Sequence, residues 1–90
     1  MKKGKEIQKM NEQIAEKIKE MIHDNLRIPE DMLDYDAELF GDDIGLDSVD
    51  SLEIISGIDD LFGVDMTGAD REHFQTIHAL AAYVAANMEQ

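Results

Sequence analysis

The chain has no cysteine and no tryptophan, one proline (Pro29), and only one lysine or arginine, Arg71, after Arg27. Without cysteine, neither a disulfide framework nor a thiolate zinc site can form, so any thiol chemistry must come from an attached group. Scarcity of basic residues argues against nucleic acid as a partner, because phosphate binding needs clustered Lys and Arg. Long apolar runs are also missing: nothing approaches the roughly 20 residues that span a bilayer. The lysine-rich start "MKKGKEIQKM" lacks the apolar stretch of a secretion signal. The expectation is a soluble cytoplasmic protein with no membrane partner.

What is abundant is negative charge. The 90 residues carry a formal charge of −13. Four lysines and one glutamate make the first nine residues +3, so the remainder carries −16. Between Glu30 and Glu72 stand fifteen acids and one base. Such a surface keeps a protein soluble, and it also complements a protein partner with a basic docking patch. A chain this short makes one domain with a single modest core, which leaves little room for a buried catalytic cleft. Residues 1–9 read as a disordered basic leader, with Met10 as an alternative start, and residues 10–90 as the folded domain, expected to be a monomer.

Periodicity predicts an all-α architecture. Ile14, Ile18, Met21, Ile22 and Leu26 form one stripe of a first helix over Asn11 to Leu26, with Asn11 as its N-cap. Pro29 ends that helix. A long connection follows, packed through Ile28, Leu33, Leu39, Phe40 and Ile44, with a turn of helix at Glu30 to Leu33. A second helix runs from Ser48 to Phe62 and stops at Gly63. Asp70 to His73 predicts a short helix, and Thr76 to Asn87 a last one, capped by Thr76. Gly57 falls inside the second helix, where it costs up to about 1 kcal/mol relative to Ala.

The stretch "IGLDSVDSLEII" holds two Asp-Ser pairs, Asp47-Ser48 and Asp50-Ser51. Asp47 suits the N-cap of the second helix and Asp50 the acid of a capping box. Ser48 is then the first helical residue, its hydroxyl beside unpaired backbone N–H groups at the positive end of the helix dipole. At about 100° per residue, Ile54, Ile55, Ile58, Leu61 and Phe62 share one apolar arc. Ser51 lies inside that arc, expected to face the core and bond back to a carbonyl one turn earlier. Ser48 lies at its edge, so of the two serines Ser48 is the one reachable by another protein. The opposite arc carries Val49, Glu53, Ser56 and Asp60, with Asp50 and Asp59 at its margins. An exposed valine ringed by acids has the character of a docking surface.

The segment "FGDDIGLDSVDSLEIISGIDDLFGVDM" resembles the heart of acyl carrier proteins, in which a Gly-x-Asp-Ser-Leu motif opens the second helix. The resemblance extends from about Asn11 to Asn87, through the long loop and the closing "FQTIHALAAYV". Gly45, Asp47, Ser48 and Glu53 set the register on Ser48. The literal Asp50-Ser51-Leu52 string lacks the glycine, and Ser56 stands where Glu is expected after it. Val49 replaces the usual Leu, and Leu61 takes a position often acidic in fatty-acid carriers.

The resemblance implies a small four-helix bundle: three main helices, one short helix and a long first loop. It implies 4′-phosphopantetheine on Ser48, beside Asp47, attached by a phosphopantetheinyl transferase using coenzyme A and Mg²⁺. The protein would catalyse nothing itself. It would hold acyl groups as thioesters and dock acyl-processing enzymes through Val49, Asp50, Glu53, Ser56, Asp59 and Asp60. Fatty-acid synthesis is the default pathway, and a carrier for polyketide, lipid-modification or aminoacyl transfer is the competitor. From other classes, an acidic helical adaptor or a divalent-cation-binding protein would lack the prosthetic group. An EF-hand loop started at Asp42 fails, because Ile44 and Leu46 fall at ligand positions and Asp47 at the glycine position. A serine hydrolase fails for want of a nucleophile elbow and of any spacing among His23, His73 and His78 that nominates a base.

Overall fold

The computed structural model describes the backbone of residues 2–88 and the side chains of residues 11–88. Three helices carry the fold: α1 (Lys2–Leu26), α2 (Ser48–Phe62) and α3 (Ile77–Met88). Each connection between them contains one 3₁₀ turn, Glu30–Met32 in the first and Arg71–Phe74 in the second. No strand occurs among the described residues, and the all-helical bundle agrees with the expected architecture. The short helix expected at Asp70 to His73 is the second of these turns, with Asp70 at its N-cap position.

Helix α1 begins at Lys2 rather than Asn11, so Asn11 is not its N-cap. The side chains of the expected leader, residues 1–9, lie outside the described ones. The stripe on α1 is as expected: Ile14, Ile18, Met21 and Ile22 are buried, Ala15 with them, and Leu26 packs at their edge. Burying one such large apolar side chain stabilises by about 1.5–3 kcal/mol. Arg27 ends the helix in the left-handed region, with φ 59°, and Pro29 prevents it from resuming.

The first connection is irregular but firmly packed. Leu33 and Leu39 are fully buried, while Tyr35, Ile44 and Leu46 lean on the same core. Its backbone is tied to the start of α3: Leu39 N–H donates to Gln75 O at 2.8 Å, and His78 N–H to Tyr35 O at 3.0 Å. Phe40, expected to pack inward, is exposed instead.

The three helices do not touch equally. α1 packs broadly on α3 and less on α2, while α2 and α3 barely meet. Gly57 explains how α1 approaches α2. A Cβ built there would stand 2.6 Å from Met21 Sδ and 2.9 Å from Met21 Cγ. The glycine is therefore more than a weak point in the helix; it makes room for a core methionine.

Gly57→Ala is accordingly expected to displace the Met21 thioether, and the cost of that shift should cancel most or all of the roughly 1 kcal/mol that alanine gains as the better helix former. Denaturant unfolding checks this, and with Met21→Ala in the same chain that gain should reappear, a coupling that independent sites would not give.

Candidate phosphopantetheine site

The site begins with the way α2 starts. Asp47 is extended, with φ −118° and ψ −174°, and its Oδ1 accepts from the N–H groups of Val49 and Asp50 at 3.1 Å each. Asp50 Oδ2 in turn accepts from Asp47 N–H at 3.1 Å, which completes the capping box expected from the sequence. The helix closes as expected too: Gly63 adopts φ 69° and its N–H donates to Asp59 O. Ahead of the cap, Gly45 has φ 73°, a conformation that a side chain strains, and its N–H donates to Gly41 O at 2.7 Å.

The two serines differ as the helical wheel predicted, with one correction. Ser48 is exposed on the first turn. Ser51 Oγ donates back to Ser48 O at 2.6 Å, which commits its hydroxyl. Ser51 is half-buried rather than part of the core, and it lines the same groove as Ser48. The free N–H groups expected beside Ser48 are also fewer than the sequence implied, because Asp47 occupies those of Val49 and Asp50.

That groove has a volume of about 710 Å³ and opens between α2 and the second connection. Ser48, Ser51 and Ile55 form one wall; Phe40 and Leu46 come from the first loop, Arg71 and Phe74 from the second 3₁₀ turn. It exists because α2 and α3 barely meet, which leaves the intervening loops to close the bundle on this side. Thr67 sits at its edge, held by Asp65, whose carboxylate accepts from both the Thr67 hydroxyl and the Thr67 N–H. Those two bonds, the hydroxyl's foremost, hold the Asp65 carboxyl below its ordinary value. The groove is a tertiary feature that no sequence motif announced.

On the outer face of α2, Val49 and Leu52 are 67% and 64% exposed, large values for apolar side chains. Glu53, Ser56, Asp59 and Asp60 are exposed around them, whereas Asp50 is half-buried and engaged in the capping box. The sequence reading overlooked Leu52. Leu61, expected in the apolar arc facing the core, is instead 48% exposed. His23 bonds Ile28 O, His78 pairs with Asp36, and His73 packs at a tilt against the Tyr83 ring. Among the described residues no cluster of His, Asp and Glu is arranged to hold a metal ion, and no helix is long and apolar enough to cross a membrane.

A family model described as "Phosphopantetheine attachment site" matches residues 16–84. The acyl carrier protein of Solidesulfovibrio magneticus is 34% identical over 71 residues, which cover 79% of this chain and 90% of that protein. The chain belongs to the acyl carrier protein family. The prosthetic group of this acyl carrier fold is 4′-phosphopantetheine. The site fits such a group: an exposed serine hydroxyl stands at the first turn of α2, beside a groove roomy enough for a flexible arm.

Asp47→Ala removes the side-chain half of the capping box, the bonds from Val49 N–H and Asp50 N–H, while the bond from the residue 47 N–H to Asp50 stays available, and should cost about 0.5–2 kcal/mol. Hydrogen exchange at the Val49 and Asp50 amides reads this directly, since their protection should fall while that of α3 stays unchanged.

Proposed function

We propose that Ser48 is the attachment residue, and that the chain carries acyl groups between the enzymes of fatty-acid or related acyl-chain synthesis. The observation that carries this reading is the contrast between the serines: Ser48 is exposed on the first turn of α2, while the Ser51 hydroxyl is spent on Ser48 O. In loading, Ser48 Oγ attacks the phosphorus of coenzyme A nearer the pantetheine. The new Ser48 Oγ–P bond replaces the bond to the adenosine-side phosphate, which leaves as adenosine bisphosphate, and the hydroxyl proton passes to a base of the transferase. When bound, the arm supplies a terminal thiol on which acyl groups are held as thioesters.

The chain's own contribution is presentation, and it catalyses nothing itself. Asp47 fixes the start of α2 and hence the direction of Ser48. Val49 and Leu52 offer apolar contact, and Glu53, Ser56, Asp59 and Asp60 surround it with hydroxyl and negative charge. Asp50 adds charge at the margin. Such a face suits transferases and acyl-processing enzymes whose docking patches are basic. We infer a monomer working in the cytoplasm. The exposed Leu61, where fatty-acid carriers often hold an acid, supports a second reading as a specialised carrier for polyketide, lipid-modification or aminoacyl transfer.

The test is intact mass after incubation with coenzyme A, Mg²⁺ and a broad-specificity transferase. Wild type and Ser51→Ala should each gain one phosphopantetheine, and Ser48→Ala none. Gain lost only in Ser51→Ala would move the site, and no gain in folded wild type would remove the carrier reading. On the docking face, Glu53→Lys with Asp60→Lys should slow loading, and added salt should slow wild type more than that variant.

A further inference from the structure

Arg71 is the only lysine or arginine after Arg27 in a strongly acidic chain, and it lines the groove that Ser48 lines. Its side chain is exposed and enters no ion pair among the described residues, although Asp70 and Glu72 flank it in sequence. An unpaired guanidinium in such surroundings is available to an anion.

A phosphodiester on Ser48 would need one. It would sit beside the Asp47 and Asp50 carboxylates, so like charge opposes it. The compensation that a helix N-terminus ordinarily offers is reduced here, because Asp47 Oδ1 already accepts from Val49 N–H and Asp50 N–H. A planar fork of donors matches phosphate geometry well. Besides Arg71 the groove is lined by apolar Phe40, Ile55 and Phe74 and by polar Thr67 and Gln75, a mixed lining suited to an arm that carries methyl groups, amides and a hydroxyl.

We propose that Arg71 is a positioning residue for the prosthetic arm: its guanidinium pairs with the phosphodiester on Ser48 and lays the arm along the groove. This rests on the reading of Ser48 as the attachment residue. The pairing gives the arm a docked state at the surface of the bundle, from which a partner enzyme must withdraw it. A basic partner that competes for the same phosphate would release the arm as it docks.

The experiment compares wild type, Arg71→Ala and Arg71→Lys before and after enzymatic attachment of the arm, with intact mass confirming modification. Backbone amide shifts are recorded for Phe40, Ala69 and Gln75 along the groove and for Val49 beside the attachment point. In wild type, attachment should move all four amides. In Arg71→Ala the Val49 change should persist while the groove changes are lost, and Arg71→Lys should restore part of them. The phosphorus resonance should shift with salt in wild type and much less in Arg71→Ala. Equal groove changes in wild type and Arg71→Ala would overturn the proposal. So would groove changes appearing only after a carboxylate-bearing acyl group is loaded, which would make Arg71 a cargo contact. A wild type that gains no mass, or a Ser48→Ala variant that gains as much, would mean that the attachment reading itself has failed and this one with it.

Discussion

The carboxylate of Asp47, accepting from Val49 N–H and Asp50 N–H at 3.1 Å each, fixes where α2 begins, and the surface around Ser48 depends on that start. Burial of Ile54 and Ile58 turns the helix so that Val49 and Leu52 face solvent, and the cap puts Ser48 on the first turn of that helix. The reciprocal bond from Asp47 N–H to Asp50 Oδ2 secures the start from both sides. Asp47 at the N-cap and Asp50 in the first turn also suit the positive end of the helix dipole, where each is worth about 0.3–1 kcal/mol. The same geometry has a chemical consequence. The donors that a phosphate at this helix end would otherwise use are engaged, so its charge must be met from elsewhere.

That dependence extends through the loops. Ordering an irregular segment costs backbone entropy, so a long connection stays in place only where it is anchored. Leu33 and Leu39, both fully buried, are its apolar anchors. The bonds from Leu39 N–H to Gln75 O and from His78 N–H to Tyr35 O join the loop to the start of α3. The exposed pair of His78 and Asp36 at 2.7 Å adds little beside them. Because the first loop is tied to α3 rather than α2, and α2 scarcely meets α3, space remains along the α2 face that holds Ser48 and Ser51. The groove is thus a by-product of where the loop is anchored.

Local chemistry was legible in the sequence, and coverage by other elements was not. Asp47, Asp50 and Gly63 bracket α2 through interactions within a few residues of each end, so its limits could be read directly. Asn11 misled because a residue suited to capping also sits inside a helix when the residues before it are themselves good helix formers. Periodicity said on which side of α2 Leu61 lies, yet how closely anything packs against that side depends on the other elements, and Leu61 stays about half exposed. Phe40 fails for the same reason. Gly57 was visible as a cost, but its cause, Met21 arriving from another helix, is a tertiary fact. Arg71 stood out by its charge alone, and only the fold brings it to the groove of Ser48.

The placement of acids on α2 bears on its purpose. Asp47 and Asp50 sit where the helix dipole favours negative charge, but Asp59 and Asp60 lie in the last turn, where it opposes them and no basic residue compensates. Each of these two costs the helix a few tenths to about 1 kcal/mol at low salt. Mutual repulsion along a face that also carries Glu53 adds to the cost. Neither side chain is buried or bonded in a way that stabilises the fold in return. Acids kept where they weaken their own helix, beside the exposed Val49 and Leu52 and on the helix that begins with Ser48, are hard to account for by folding. On the proposed reading of this face as a docking surface, a basic partner would neutralise them and cover the apolar pair in the same event.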